Sequence, residues 1–272
     1  MSKIGRLRTA LLELLAAHSA EQALPTSARF LFYELVQRGI ISKERKAQGR
    51  RPDQNMSDAL TDLRERGEVP WEWIVDETRA LDNYTGASSL REWMLEALPQ
   101  ARLDPWAGDI PLILTESRSL AGVLRELVRD YAVLIAATNG QVGGFLHTEI
   151  IPILQPRQRI LYLGDLDLSG GQIEANTRRV LEREAGELAW ERLALTQEQV
   201  DQYALPVIEK HDRRYNDGHP HLAVETEAIG QRIIVDIVRS RLEQLLPEPL
   251  RSVQVRADAQ RSVIQKALQR LR

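Results

Sequence analysis

The sequence lacks cysteine altogether over its 272 residues. A disulfide framework, a thiolate metal site and a cysteine nucleophile are therefore all excluded. The sequence also lacks any apolar run close in length to the roughly 20 residues that a membrane-spanning helix needs. Its first residues form a charged, amphipathic pattern that does not have the form of a signal peptide. We therefore expect a cytoplasmic protein.

A strong excess of charge of one sign is also missing, because 36 basic residues stand against 39 acidic ones and the formal net charge is −3. The distribution is uneven, however, since residues 38–51 contain six basic side chains and the single acid Glu44. A local basic loop can bind phosphate while the remaining surface stays acidic, although ordinary solvated surface charge explains it equally well. The residues that we assign to nucleic-acid contact on this basis are Lys43, Arg45, Lys46, Arg50 and Arg51.

The first part of the chain has apolar residues at helical spacing. The pattern predicts helices over 4–18, 26–37 and 52–67. Segment 68–75 then alternates like a strand and contains Pro70, which suits an edge strand or a wing. Helices followed by a strand in this order are the outline of a winged helix-turn-helix, in which one helix enters the DNA major groove. We therefore expect a winged-helix domain over residues 1–80 and a connector over 81–109.

Strand and helix patterns alternate from residue 110 onwards, which predicts an α/β domain with a parallel sheet and right-handed crossovers. We expect strands over 111–115, 131–137, 159–164 and 193–195. Helices are predicted over 119–129 and 169–184, before residue 150, over 196–203, before residue 246 and at the end of the chain. Residues 110–272 are therefore expected to form a Rossmann-like domain with a helical carboxy-terminal tail.

The most informative stretch follows the apolar run 159–164, where Asp165 and Asp167 are spaced i, i+2. Side chains at this spacing in an extended chain point to the same side, and open α/β sheets bind ligands at the carboxyl ends of their strands. Two adjacent carboxylates repel each other, and a hard divalent cation keeps both ionised. The pair therefore predicts half of a Mg²⁺ site, and we expect Glu116 at the same edge of the sheet. The alternative is a helix-capping aspartate beside a turn aspartate.

The order of these residues resembles that of the toprim domain: Glu116 after the first strand, Thr138-Asn139-Gly140 after the second and Asp165-x-Asp167 after the third. The segment Arg29-Phe-Leu-Phe-Tyr33 resembles the Arg-x-x-Tyr-Tyr motif of the topoisomerase VI A subunit and the meiotic double-strand-break protein. In that family the motif lies on a winged-helix domain that precedes the toprim domain. The chain is most similar to small stand-alone bacterial relatives of this subunit. The segments that carry the likeness are 32–39, 69–79, 205–213 and 224–229.

The resemblance implies Mg²⁺-dependent cleavage of double-stranded DNA by transesterification. It implies that Tyr33 attacks phosphorus and becomes linked to one DNA end, and that Arg29 stabilises the phenolate or binds the phosphate. Glu116, Asp165 and Asp167 are then the Mg²⁺ ligands, and Mn²⁺ can replace Mg²⁺. The resemblance also implies association with the nucleoid and a separate ATPase partner for any strand passage. It further implies a homodimer in which the tyrosine of one protomer meets the metal of the other.

Departures from the family pattern leave other functions open. Phe32 replaces the first tyrosine of the pair, Ser117 stands where relatives often carry Lys, and the sequence contains no ATPase domain. One alternative is a toprim nuclease that uses metal-activated water, with Tyr33 as a core aromatic residue. The other is a non-catalytic DNA-binding subunit of a larger complex. Three further acids are Asp212, Glu225 and Glu227. They either supplement the metal site or are ordinary surface acids.

Overall fold

A computed structural model of the protein describes residues 3–42, 51–75, 85–139, 143–210 and 221–270. The α-helices are α1 (Lys3–Ala20), α2 (Ala28–Gln37), α3 (Pro52–Glu65), α4 (Leu90–Ala97), α5 (Arg118–Asp130), α6 (Gly143–Phe145), α7 (Leu168–Ala185), α8 (Gln197–Gln202), α9 (Gln231–Leu245) and α10 (Leu250–Arg270). The strands are β1 (Leu112–Thr115), β2 (Leu134–Ala137), β3 (Arg159–Leu163), β4 (Ala189–Ala194), β5 (Ile208–Lys210) and β6 (His221–Ala223). Among the described residues, no helix combines the length and apolar character needed to cross a bilayer.

The centre of the fold is a four-stranded parallel sheet with the strand order β2-β1-β3-β4. Leu112 of β1 pairs with Leu134 of β2 on one side and with Ile160 of β3 on the other. The strands β5 and β6 form a separate antiparallel pair. The predicted α/β architecture with a parallel sheet is confirmed.

Both faces of the sheet are covered by helices. Ile113 and Leu161 lie in an apolar core with residues of α5 and α9. Leu114 and Tyr162, which alternate with them along the strands, lie in a second core with Leu181 of α7. A parallel sheet buried on both faces exposes functional groups only where its strands end. We therefore expect functional groups of the sheet at the carboxyl ends of β1, β2 and β3.

Helices α1, α2 and α3 enclose their own apolar core, to which Leu11, Leu31 and Leu60 contribute. Ser27 caps α2, because its hydroxyl accepts a hydrogen bond from the backbone N–H of Phe30 (3.2 Å). Phe30 and Tyr33 lie in the core between the sheet, α5 and α9. Helix α2 therefore belongs to two cores at once, and it connects the amino-terminal helices to the sheet.

The strand predicted over 68–75 is wrong. Trp71–Trp73 form a 3₁₀ turn, and the segment makes one β-bridge, between Ile74 and Thr26. The N–H of Thr26 donates to the carbonyl oxygen of Trp73 (2.9 Å). The alternation of apolar residues was misleading because Pro70 has no N–H for a ladder and precedes a turn.

The strand predicted over 131–137 begins later, at Leu134, because Tyr131 still ends α5. Its backbone N–H donates to the carbonyl oxygen of Leu127 (3.1 Å), and its hydroxyl donates to Glu243 (2.9 Å). The strand predicted over 193–195 begins earlier, since β4 starts at Ala189. The bounds of α2, α3 and α7 agree with the predicted ones to within two residues.

Candidate functional site

Glu116 and Asp165 meet at the carboxyl end of the sheet, as the strand order predicts. Glu116 follows β1, and its backbone N–H donates to the carbonyl oxygen of Leu163, the last residue of β3 (2.9 Å). The side chain of Glu116 turns back and accepts a hydrogen bond from the backbone N–H of Asp165 (3.1 Å). Together with Asp167, these residues are called the acidic edge.

The side chain of Asp165 is fixed by a residue that lies 61 positions later in the chain. Its Oδ1 accepts hydrogen bonds from the backbone N–H (2.9 Å) and the hydroxyl (3.0 Å) of Thr226. Arg192 of β4 donates to the backbone carbonyl oxygens of Asp165 (2.7 Å) and Gly164 (2.9 Å). The carboxylate therefore has a defined orientation at the end of β3.

Burial and neighbouring carboxylates raise the pKa of both Glu116 and Asp165. Burial, and then the charge of Asp165, raise the pKa of Glu116 to about 7. Burial, and then the charge of Glu227, raise the pKa of Asp165 above its ordinary value of 3.8. A bound divalent cation would lower both pKa values by favouring the ionised carboxylates.

Asp167 has a structural role that the sequence left as the alternative. It is the N-cap of α7, and its Oδ1 accepts a hydrogen bond from the backbone N–H of Gly170 (2.7 Å). One of its carboxylate oxygens is therefore engaged in the helix cap. Over the parts of the chain that the structure describes, no three Asp, Glu or His side chains are gathered as a complete metal-binding group.

A cavity of about 170 Å³ lies in front of Glu116 and Asp165. Its lining residues are Arg29, Glu116, Ser117, Leu120, Asn139, Asp165 and Thr226. Besides the guanidinium of Arg29, the cavity offers carboxylate, amide and hydroxyl oxygens, which are the ligands of hard cations. Because Mg²⁺ is commonly held by one or two carboxylates together with water and substrate phosphate, the residues present fit this ion.

Glu227 connects the acidic edge to α2. It is 1 % exposed, and its Oε1 accepts hydrogen bonds from the hydroxyls of Ser117 (2.8 Å) and Ser119 (3.0 Å). The same oxygen pairs with Nε of Arg29 (2.8 Å). Its Oε2 is buried and has no hydrogen-bond partner among the described residues. Buried charge of this kind is costly unless it is paired, so the pair with Arg29 ties α2 firmly to the start of α5.

Arg29 also reaches Glu225 and Tyr33. Its Nη2 is 2.5 Å from Oε2 of Glu225, and its guanidinium carbon is 6.0 Å from the centre of the Tyr33 ring. Burial alone would lower the pKa of Arg29, but the charges of Glu227 and Glu225 outweigh it and raise the pKa. Arg29 is therefore a permanent cation at the junction of the tyrosine and the acidic edge.

Tyr33 is 6 % exposed and belongs to the core, as the alternative interpretation of the sequence expected. Its ring contacts the ring of Phe32 edge-on, with centroids 5.4 Å apart, and its hydroxyl donates a hydrogen bond to Glu225. Burial, and then the charge of Glu225, raise the pKa of Tyr33 above its ordinary value of 10.0. A phenolate would form here only with the help of a base and a nearby cation.

Tyr33 lines a second cavity, of about 440 Å³, which is called the tyrosine cleft. The cleft is lined by residues of α2, by residues at the start of α3 and by Glu225, namely Ala28, Arg29, Phe32, Tyr33, Arg51, Pro52, Asp53, Met56, Ser57 and Glu225. Arg51 is thus the one predicted DNA-contacting residue that the structure places, and its guanidinium lies 3.4 Å from Asp53. The predicted basic residues Lys43, Arg45, Lys46 and Arg50, together with Asp212, lie outside the described residues.

Several residues of the site were missed from the sequence. Thr226 and Arg192 orient Asp165, and Ser119 supports Glu227. The capping role of Ser117 was missed as well, although a serine at the start of a helix is a common N-cap. Its hydroxyl does cap α5, by accepting a hydrogen bond from the N–H of Leu120 (3.2 Å).

Comparisons of the chain with protein-family models, with curated proteins and with solved structures find no match. The sequence motifs and the geometry around Arg29 and the acidic edge are therefore the observations that indicate a function.

Proposed function

We propose that the protein cleaves double-stranded DNA in a Mg²⁺-dependent transesterification with Tyr33 as the nucleophile. The observation that carries this proposal is the position of Arg29, which lies between the Tyr33 ring and the acids Glu225 and Glu227. A nucleophile, a phosphate-binding cation and a carboxylate pair suited to a divalent cation are the parts that phosphodiester cleavage needs.

At the level of the fold, the proposal assigns helices α1 to α3 and the turn after them to a winged-helix domain of about residues 1–80. The parallel sheet with its helices is assigned to a toprim domain over 110–272, after a connector over 81–109. The arrangement of three amino-terminal helices around their own core, followed by a parallel sheet, supports this assignment.

Glu116 and Asp165 are the residues that would hold Mg²⁺ or Mn²⁺, and Asp167 is the third carboxylate that the sequence motif assigns to the ion. When bound, the ion supplies positive charge that neutralises the scissile phosphate and stabilises the leaving oxygen. Thr226 and Arg192 keep Asp165 in place while the ion is bound.

The chemical step is an exchange of one phosphate ester for another. The bond from the Tyr33 oxygen to phosphorus forms as the bond from phosphorus to a deoxyribose oxygen breaks, and the released alkoxide takes a proton from water. Glu225 accepts the hydrogen bond of the Tyr33 hydroxyl and is placed to receive its proton. Arg29 stabilises the negative charge that develops on the phenol oxygen and on the phosphate.

The partners follow from the same proposal. Double-stranded DNA lies across the tyrosine cleft, where Arg51 contacts its phosphates, and Lys43, Arg45, Lys46 and Arg50 supply further phosphate contacts. Two copies of the chain, as a homodimer, cut both strands. A separate ATPase partner is required only for strand passage.

Hydrolysis is the second candidate, because Tyr33 is almost fully buried and lies among core residues. In that case a metal-activated water attacks the phosphate, and Tyr33 serves only in packing. The product then has free DNA ends and no protein attached.

Cleavage of supercoiled plasmid distinguishes these reactions. The purified protein is incubated with plasmid and Mg²⁺ or Mn²⁺, stopped with detergent, and analysed with and without protease digestion. Transesterification predicts cut DNA that stays linked to protein until protease is added. That product should disappear in Tyr33→Phe and Asp165→Ala and persist in Tyr131→Phe, a control that removes a hydroxyl bonded to Glu243 on a different helix.

Free ends that persist in Tyr33→Phe and vanish in Asp165→Ala would establish hydrolysis instead. Plasmid that binds the protein but stays intact with either metal would contradict both reactions and favour a non-catalytic DNA-binding subunit.

A further inference from the structure

Another cavity, of about 360 Å³, lies at the β2 side of the sheet and is called the arginine cleft. Strand β2 is at the edge of the four-stranded sheet, next to β1. One wall of the cleft is α5, which contributes Arg118, Ala121 and Arg125, and the other is formed by residues 135–139. None of the described lining residues is acidic. The charge of the cleft therefore comes from its two arginines.

The two arginines lie on one face of α5. Arg118, Ala121 and Arg125 have the spacing i, i+3, i+7, which places them above one another on the helix surface. Both arginines are exposed. Arg118 has no hydrogen-bond or ion-pair partner among the residues that the structure describes. A cation without an internal counter-charge, on the wall of an open cavity, is available to an anionic ligand.

The arginine cleft adjoins the cavity in front of the acidic edge, because Asn139 lines both of them. The backbone N–H of Asn139 donates to the carbonyl oxygen of Glu116 (2.9 Å), and that of Thr138 donates to the carbonyl oxygen of Thr115 (2.8 Å). These hydrogen bonds hold the end of β2 against the end of β1. Arg118 is the second residue after Glu116. The cleft is therefore next to the carboxylates that would hold the metal and the scissile phosphate.

The separation of the two arginines indicates an extended polyanion as the ligand. Seven residues of an α-helix rise by about 10 Å, and one strand of duplex DNA rises by about 3.4 Å for each nucleotide. Arg118 and Arg125 therefore span about three nucleotides of one strand. This separation suits different phosphates of a DNA strand better than a single phosphate ion. Guanidinium groups bind phosphate oxygens in a bidentate manner.

The geometry points to the arginine cleft as a binding site for the DNA backbone. Arg118 and Arg125 hold phosphates that flank the phosphate at the acidic edge of the same chain. This inference rests on the proposed function, and it applies whichever chain of a dimer supplies the tyrosine. Contacts to backbone phosphates fix the register of a protein on the duplex. The cleft therefore positions the DNA strand so that the scissile phosphate meets the metal-binding carboxylates.

Binding of a labelled duplex without metal, so that no cleavage occurs, measures the contribution of the cleft. In Arg118→Gln, Arg125→Gln, we expect the slope of log affinity against log salt to fall by about 1.8, or about 0.9 for each lost phosphate contact. Affinity at about 0.1 M salt should fall by about tenfold to a hundredfold. Arg178→Gln, Arg183→Gln removes the same charge from exposed positions of α7 and is the matched control. Equal decreases in the two double variants would overturn the inference.

A charge placed between the two arginines gives a second test that leaves both of them in place. Ala121→Glu adds a carboxylate there, and Ala121→Gln adds a side chain of the same size without the charge. We expect Ala121→Glu to bind duplex about tenfold more weakly than Ala121→Gln at about 0.1 M salt, as the loss of one phosphate contact would. Any effect of side-chain size on folding is common to both variants. Equal affinities of the two would contradict a phosphate site on this face of α5.

Photo-cross-linking locates the DNA directly. The chain has no cysteine, so Ala121→Cys contains a single thiol, to which an aryl azide is attached. Illumination with labelled duplex should link this variant to DNA, and excess unlabelled duplex should prevent the link. Ser240→Cys, at an exposed position of α9, is the control. A yield at Ala121→Cys no higher than at Ser240→Cys would show that DNA does not enter the cleft.

Inorganic phosphate distinguishes a DNA site from a site for a free anion. If phosphate raises the melting temperature of the wild type above its value in chloride of the same ionic strength, if Arg118→Gln, Arg125→Gln loses this effect, and if both bind duplex equally, the inference is overturned and the proposed function is unaffected. Absence of duplex binding by the wild type would contradict the proposed function and the inference together. Weaker duplex binding by the variant, without any specific effect of phosphate, is the expected result.

Discussion

Asp165 and Asp167 are two residues apart, yet they have different surroundings. Asp165 accepts two hydrogen bonds from Thr226 and lies next to Glu116. Asp167 caps α7 through Gly170. The structure shows the capping role of Asp167, and the metal-site interpretation of the motif stays a prediction. Substitutions at Asp167 can separate the two roles.

Asp167→Ala should lower the free energy of unfolding by about 1 kcal/mol, because a helix N-cap is lost. Asp167→Asn should leave stability nearly unchanged, since asparagine is an equally good N-cap. Its cleavage activity should nevertheless fall by about ten- to a hundredfold if the second oxygen serves the metal. Chemical denaturation and plasmid cleavage measure the two effects, and full activity in Asp167→Asn would restrict this residue to capping.

Glu116 makes stability depend on pH in a defined direction. Its pKa is raised from 4.5 to about 7 in the folded protein, by burial first and by Asp165 next. The folded state therefore binds a proton more tightly than the unfolded state does. The stabilisation is complete below about pH 4.5, and it is lost as the pH rises through about 7.

We therefore expect the metal-free protein to become less stable between about pH 5 and pH 7.5, and we expect the decrease to shrink in Glu116→Gln. Exposed Glu149→Gln serves as the control and should retain the wild-type decrease. Added Mg²⁺ should raise the melting temperature of the wild type at pH 7.5, by the linkage of binding to folding, and not that of Glu116→Gln. Identical pH profiles for wild type and Glu116→Gln would contradict the role assigned to this carboxyl.

At the scale of elements, the start of α7 depends on the absence of one side chain. A Cβ on Gly170 would lie 2.4 Å from the backbone oxygen of Asp165, whereas a Cβ on Gly171 would meet nothing within 4 Å. The helix can approach the acidic edge this closely only with glycine at the first of these positions.

Gly170→Ala should therefore destabilise the protein by about 1–3 kcal/mol, the usual cost of overpacking, and should impair cleavage by moving Asp165. Gly171→Ala is the matched control, and it should be neutral or stabilising by up to about 1 kcal/mol, because alanine favours a helix. Thermal denaturation of the two variants is the measurement. Equal stabilities of Gly170→Ala and Gly171→Ala would show that α7 does not pack tightly against the acidic edge.

The sequence predicts helices and strands well where the periodic hydrophobic pattern extends over many residues. The helical period and the caps locate α2, α3 and α7, and the alternation of strands and helices predicts the parallel sheet. Segment 68–75 fails because a short alternation around a proline cannot distinguish a strand from a turn that makes a single bridge.

Contacts at the site are harder to predict than elements. Glu116 and Asp165 were predictable, since the carboxyl ends of adjacent parallel strands meet at one edge. The pair of Arg29 with Glu225 joins residues 196 positions apart, and no local pattern encodes such a distance. The same holds for Arg192, whose side chain reaches Asp165 across β4 and β3.

At the scale of the whole molecule, a net charge of −3 does not exclude DNA binding, because six basic side chains are concentrated within residues 38–51 of the sequence. We expect replacement of Lys43, Arg45, Lys46, Arg50 and Arg51 by Gln to weaken DNA binding at every sequence. The slope of log affinity against log salt should fall by about 0.9 for each phosphate that the variant no longer neutralises.

Replacement of Arg178, Arg179 and Arg183 on α7 by Gln is the control for general loss of positive charge, and it should change the slope much less. Titration of labelled duplex at several salt concentrations measures both slopes. Equal decreases in the two variants would show that the segment before α3 has no special role in binding DNA.

The most direct test of the central claim is the mass of the peptide that contains Tyr33. Wild-type protein is incubated with duplex DNA and Mg²⁺, denatured, and digested with nuclease and then with protease. Transesterification by Tyr33 predicts that the Tyr33 peptide gains the mass of a nucleotide, and that this product is absent from Asp165→Ala. Cleaved DNA together with a Tyr33 peptide of unmodified mass would contradict transesterification by this tyrosine.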